Sequence, residues 1–345
     1  MSGGLLQYSG LITKARAMHG RLLTKEELMH LSELERVEDF IIFLRESKGY
    51  SQVYASHEEI HHRAQVEAVI YNSLYADYRK LFQFANGEQR KGLEIIFLRY
   101  EMNVLKWCMD AVSRGGNASN LSYLNLFFDR HSGFDTAAVT QAGNMQEFLN
   151  ALAGTPYEKL FLRMRDNDTM TMADCAFALD IYYYTTAWQM KEKIRDGNMK
   201  RILTQILGTE IDWLNIMWMY RSKQFYKMSA TDIEADTIPV RYRLKKTEYR
   251  ALLQTETIDE FMEIIRKTAY VTEKNAIISL GDEITFQKVM DRTYEKTCKE
   301  YPHSIAPVLK YLYDKENEID NLTTILEGVR YQIPSKEIRE MILIS

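Results

Sequence analysis

Glu38-Asp39-Phe40, running on to Leu44 and Tyr50, returns as Gln146-Glu147-Phe148, running to Leu152 and Thr155-Pro156-Tyr157, and again as Asp259-Glu260-Phe261, running to Ile265 and Thr268-Ala269-Tyr270. The three phenylalanines stand roughly 110 residues apart. A second phrase follows each at a similar delay: Glu101-Met102-Asn103-Val104-Leu105, Asp212-Trp213-Leu214-Asn215-Ile216-Met217 and Glu318-Ile319-Asp320-Asn321-Leu322. Two anchors repeated three times in one order argue for duplication rather than chance likeness between amphipathic helices. A period of that size is a domain's length, well beyond the roughly 20–50 residues of a solenoid repeat. The chain therefore reads as three related modules, 1–115, 116–230 and 231–345.

Composition sets the fold class. Among 345 residues, five prolines and sixteen glycines are too few for a protein built of tight β-turns, while Leu, Glu, Lys, Met and Arg are abundant helix formers. The expectation is all-α, with 46% hydrophobic and 12% aromatic residues supplying ample core. A formal charge of −4 with 27% charged residues describes a mixed surface with no net pull toward nucleic acid or anionic lipid. The start Met1-Ser2-Gly3-Gly4-Leu5-Leu6-Gln7 has no signal-peptide layout, and no apolar run approaches the roughly 18 residues that would span a bilayer. A cytoplasmic protein is expected, with no direct membrane span. Cys108, Cys175 and Cys298 are odd in number and far apart, which indicates buried thiols rather than a disulfide framework or zinc knuckle.

Local punctuation places the helices. Thr24 with Glu27 three residues later forms a capping box, and Leu23 with Leu28 the hydrophobic staple of the same helix entry. Long helices are predicted from Ile60 to Phe84 and from Lys91 to Val112, broken at Asn86-Gly87, and another from Ala173 to Lys193. Arg114-Gly115-Gly116-Asn117 ends the first module. Gly197-Asn198 and Gly208-Thr209 read as breaks, so that the second anchor helix starts near Glu210. Gly328 reads as the stop of the third anchor helix, with Pro334 before a last helix from Lys336.

One segment spells a catalytic motif. His57-Glu58-Glu59-Ile60-His61 matches H-E-x-x-H, which on a helix puts two imidazoles one turn apart to hold zinc, with Glu58 as general base. Its surroundings, Ala55-Ser56 and His62-Arg63-Ala64, are polar, and no third ligand or H-x-x-G-x-x-H extension follows. A solvated helix start is the reading favoured here, and a zinc-dependent hydrolase using His57, Glu58 and His61 is the alternative. Neither a phosphate-binding Gly-rich loop nor a nucleophile elbow occurs, so no cofactor is expected. Glu101, Asn103, Asp212, Asn215, Glu318 and Asn321 are acids and amides set in apolar helices. Such groups need partners, so they tie neighbouring helices together or face a binding partner.

Taken in order, Tyr8, Ala15-Arg16-Ala17-Met18, Arg21-Leu22-Leu23-Thr24, the three Phe-to-Tyr phrases, Asn215 through Arg221-Ser222-Lys223 and Asn321 through Leu326 carry a resemblance over nearly the whole chain. The chain resembles the C subunit of the archaeal-type and bacterial V-type ATPases, the relative of the d subunit of the eukaryotic vacuolar ATPase. It departs from that pattern in the first module, where Ser47-Lys48-Gly49-Tyr50 replaces Thr-x-Tyr and Glu101-Met102-Asn103 shortens the acid-to-asparagine interval. The resemblance implies three similar helical domains forming a funnel about a pseudo-threefold axis. It also implies a non-catalytic rotor part that receives the central-stalk axle on one side and rests on the membrane proteolipid ring on the other. Glu101, Asn103, Asp212, Asn215, Arg221, Glu318 and Asn321 are then the candidates for a partner interface. A helical scaffold of the same fold in another assembly is the remaining alternative.

Overall fold

The computed structural model describes residues 2–54, 63–118, 121, 126–165, 171–270 and 283–342. Among them every regular element is helical, as the composition predicts. After α1 (Ser2–His19) the order of elements recurs three times, short helices followed by two long ones. The first repeat runs α2 (Lys25–Leu31), α3 (Val37–Glu46), α4 (Ser51–Tyr54), then the long α5 (Arg63–Phe84) and α6 (Gly87–Ser113). The second runs α7 (Leu126–His131), α8 (Thr136–Gln141), α9 (Met145–Ala151), α10 (Glu158–Arg165), then α11 (Met172–Glu192) and α12 (Gly197–Arg221), which continues into a π-helical turn, Ser222–Tyr226. The third runs α13 (Ala230–Ala235), α14 (Lys246–Gln254), α15 (Ile258–Arg266), then α16 (Glu283–Glu300) and α17 (Ala306–Arg330), before α18 (Ser335–Met341).

Compactness divides the chain into two units, Met1–Leu179 with His303–Ile344, and Asp180–Pro302. In the first, α1, α5 and α17 pack on one another, α17 also meets α2, α3 and α18, and α6 meets α8 and α9. Rings seam α5, α6 and α7: Tyr75 meets Tyr100 and Phe128 edge-on, each at 5.5 Å between centroids, and Tyr78 stacks on Phe97 at 5.7 Å. In the second unit α12 packs on α16, and Trp213, Ile216 and Met219 of α12 share a core with Leu252, Phe261 and Ile265. The phenylalanines that mark the repeat, Phe40, Phe148 and Phe261, are all fully buried, as are Leu44, Leu152 and Ile265 one turn later. Each such side chain contributes about 1.5–3 kcal/mol of apolar transfer. The phrase recurs because it is the inward face of the second short helix in each pair.

Helix entries follow the sequence closely. Thr24 and Glu27 close the capping box on α2, with Thr24 N–H donating to Glu27 Oε2 at 2.7 Å and Glu27 N–H to Thr24 Oγ1 at 3.2 Å. Asn86 caps α6 by accepting from Glu88 and Gln89 N–H at 3.1 and 3.0 Å. Two expected breaks are absent. α12 runs unbroken through Gly208 and α17 through Gly328, because at both positions the missing side chain admits a neighbour. A Cβ on Gly208 would lie 2.4–2.7 Å from the Cβ and ring of Tyr242, and one on Gly328 2.6 Å from the Ile338 side chain. Gly208→Ala gains about 1 kcal/mol of helix propensity, yet it must displace the root of a ring whose backbone is itself held. Overpacking of this kind costs about 1–3 kcal/mol. A lowered thermal midpoint is the expected outcome, and a raised one would show that helix propensity governs this position.

Candidate functional site

The two repeated phrases meet. In each case a carboxylate on a long helix reaches the entry of a two-helix pair and the tyrosine that follows that pair. Glu318 of α17 accepts Leu23 N–H at 2.5 Å, ahead of α2, and the Tyr50 hydroxyl at 2.7 Å, just beyond α3. Glu101 of α6 accepts Gly133 N–H at 2.5 Å, ahead of α8, and the Tyr157 hydroxyl, beyond α9. Asp212 of α12 accepts three successive amides ahead of α14, Tyr242 at 3.0 Å, Arg243 at 2.6 Å and Leu244 at 2.8 Å, and the Tyr270 hydroxyl beyond α15 at 2.5 Å. The tie thus closes both ends of each pair, α2–α3, α8–α9 and α14–α15. It satisfies backbone amides of the chain leading into each pair, ahead of the capping residue. Glu101 serves the phrase of the second repeat, Asp212 that of the third, and Glu318 that of the first.

The shared hydroxyl before each tyrosine has one further role. Ser47, Thr155 and Thr268 each donate to the carbonyl three residues back, Leu44, Leu152 and Ile265, at 2.8, 2.6 and 2.8 Å. Ser47 therefore does in the first repeat what threonine does in the others. The first repeat reaches its tyrosine with one more residue, and a Cβ on Gly49 would stand 2.9 Å from the Arg21 carbonyl oxygen. The departure at Ser47-Lys48-Gly49-Tyr50 is an altered route to the same bond.

Three equivalent carboxylates face three different electrostatic settings. Glu318 is paired with the buried Lys315, whose Nζ donates to Glu318 Oε1 at 2.7 Å and to the Tyr50 hydroxyl at 2.8 Å while lying 4.0 Å from the Tyr50 ring centre. Asp212 has four donors. Among the described residues Glu101 has neither a cation nor four donors, and burial raises its carboxyl to about 7 against the opposing pull of Gly133 N–H and the Tyr157 hydroxyl. A carboxyl that binds its proton more tightly when folded contributes most at low pH, and that contribution is lost as pH rises through the folded value. From about pH 5 to pH 8 the first unit should lose up to about 3 kcal/mol from this group alone. Glu101→Gln keeps an acceptor for Gly133 and cannot ionise, so its thermal midpoint should stay flat over that range and exceed the native one at pH 8. Parallel curves for the two proteins would reject the assignment.

A second feature stands at the end of α12. The π-helical turn buries none of its residues, and Phe225 and Tyr226 are 67% and 74% exposed. The turn is nonetheless held at both ends. Lys223 Nζ donates to the carbonyls of Leu253 and Thr255, both at 2.8 Å, where α14 finishes. Lys227 closes the turn in the left-handed region at φ 48°, and Met228 N–H donates to Ser222 O at 3.3 Å. Arg221 and Lys227 are exposed, and among the described residues neither is paired with a carboxylate.

Of the residues singled out in the sequence, Glu101, Asp212, Asn215, Glu318 and Asn321 are buried, Asn103 is half-buried and Arg221 is exposed. Asn215 pairs with the backbone of one residue: its Oδ1 accepts Ile238 N–H at 2.8 Å and its Nδ2 donates to Ile238 O at 3.0 Å. The structure brings each carboxylate to the tyrosine phrase, a connection the sequence displays only as two motifs recurring in step. Lys315 escaped notice, although its spacing of three from Glu318 on a helix is a recognisable pairing signal. His57, Glu58 and His61 lie outside the described residues. Among the described residues no group of three or more His, Cys, Asp or Glu side chains forms a metal-binding cluster. Cys108 and Cys175 are buried and Cys298 is half-buried rather than buried, none of the three is in a disulfide, and burial pushes Cys108 up to about 12. No described helix is long and apolar enough to cross a membrane.

Comparison with known proteins places this architecture. The family described as ATP synthase (C/AC39) subunit matches residues 11–341. The C subunit of the A-type ATP synthase from Pyrococcus abyssi is 26% identical over 97% of this chain and 90% of its own length. Its counterparts from Methanosphaera stadtmanae and Archaeoglobus fulgidus are each 24% identical, over 96% and 99% of this chain and 86% and 98% of their own lengths. The match runs through all three carboxylate ties, and the chain belongs to the C/AC39 family of A-type and V-type ATP synthase subunits.

Proposed function

We propose that this chain is the non-catalytic coupling subunit of the central stalk in a rotary A/V-type ATPase, transmitting torque between the stalk axle and the membrane proteolipid ring. Its three modules, 1–115, 116–230 and 231–345, form a funnel about a pseudo-threefold axis, receiving the axle at one end and resting on the ring at the other. The carrying observation is the cyclic order of the ties: each carboxylate serves the next repeat, and Glu318, the last, serves the first. Every one of the three carboxylates has a receiving phrase, and no repeat is left without its tie. A body that passes torque must resist shear between its helices, and bonds that fix both ends of each short pair supply that resistance. Arg221 faces a partner, while the buried Glu101, Asp212, Asn215, Glu318 and Asn321 act by holding the surfaces that partners meet.

The test is reconstitution of the complex in vesicles with and without this chain. Without it, ATP hydrolysis by the catalytic head should continue while ATP-driven ion uptake stops, and adding the purified chain should restore uptake. Uptake that proceeds equally well in its absence would end this reading.

A further inference from the structure

We infer that the π-helical tip at the end of α12 is a docking point, and that its partner is an acidic protein surface with an apolar recess for two aromatic rings. Phe225 and Tyr226 are among the most exposed large apolar side chains in the molecule, and they sit side by side on a turn that is held rather than loose. Departures from α-helical winding are costly and cluster at functional positions. Here the departure throws both rings outward, and Lys223 fixes it by spending its ammonium on two carbonyls at the end of α14. A turn whose backbone is ordered before binding loses little conformational freedom on contact, and exposed Tyr and Arg side chains are among those that supply much of the energy of protein interfaces.

Charge selects the partner. Arg221 and Lys227 are exposed on either side of the rings with no acid between them, while Lys223 is taken by its two carbonyls, so the turn favours carboxylates. An anionic bilayer fits less well. A membrane is a broad plane of negative charge, and Asp232, Glu234 and Asp236 stand exposed within the ten residues that follow Lys227. A protein surface can set its acids against the turn alone. This inference rests on the coupling role proposed above, which supplies the two candidate partners, the axle subunits and the ring.

The experiment uses the full chain and measures its binding to the purified axle subcomplex and to the detergent-solubilised ring, each at two salt concentrations. Phe225→Ala with Tyr226→Ala should weaken binding to one of these at least tenfold, and Arg221→Glu should do the same with a reduced salt dependence. All three substitutions lie on exposed side chains, and an unchanged thermal midpoint verifies that the fold is kept. If the native chain binds a partner and these variants bind it equally well, the docking point is refuted while the coupling role stands. If the native chain binds neither, the coupling role itself falls. Binding to vesicles containing phosphatidylserine that the substitutions abolish would assign the tip to lipid, and self-association that they abolish would assign it to a second copy. Either result overturns the proposal.

Discussion

Lys315→Met is expected to lower the stability of the first unit by about 3–5 kcal/mol, the usual cost of stripping one partner from a buried ion pair. Lys315 and Glu318 are both buried. The lysine ammonium donates to the carboxylate and to the Tyr50 hydroxyl, which itself donates to the same carboxylate oxygen, Oε1. Methionine fills similar space with no charge, so it isolates the electrostatic loss from a packing loss. Glu318 would then keep only Leu23 N–H and the Tyr50 hydroxyl among its donors here, and both ends of the α2–α3 pair would depend on a poorly compensated charge. Hydrogen exchange of α2 and α3 amides should accelerate before that of α5. Glu318→Gln in the same background should recover much of the loss, since a neutral amide needs no cation. A single-variant loss below about 1 kcal/mol would show that the pair repays only its own desolvation.

The fold was legible in the sequence to the extent that each feature depended on nearby residues. Capping at Thr24, the break at Asn86-Gly87 between α5 and α6, and the span of α11 all follow from chemistry within a turn of the residue concerned. Gly208 and Gly328 misled for the opposite reason. A glycine read along the chain signals a break, but what decides these two is a side chain arriving from Tyr242 or Ile338, which no local pattern encodes. The ties were half-visible in the same way. Both motifs recur at one period, which shows that they answer to a common constraint, yet the pairing joins Glu101 to a tyrosine downstream and Glu318 to one near the chain's beginning. The π-helical tip had no local signal at all, because Phe225 and Tyr226 in an apolar-rich chain look like core until their surroundings are known.

Asp212→Ala is the substitution expected to damage the second unit most. Asp212 is fully buried and satisfies four donors, three of them consecutive backbone amides that approach the start of α14. Alanine removes every acceptor at once. Each donor left buried without a partner costs about 1–3 kcal/mol; entry of water into the space vacated offsets part of this, leaving an expected loss of about 3–5 kcal/mol by the same reckoning. Asp212→Asn should cost less, since its oxygen can still accept from one side. Its amide nitrogen then confronts donors on the other, so it cannot restore the tie. The readout is the thermal midpoint together with hydrogen exchange of α14 and α15, where protection should be lost ahead of α12. The order Ala, then Asn, then native follows only if the donors matter individually. Were the two variants equally unstable, the negative charge itself would be the essential feature, acting on the combined dipoles of the three amides rather than through separate hydrogen bonds. That would distinguish this tie from the one at Glu101, where the neutral glutamine is expected to hold at least as well as the native acid at pH 8.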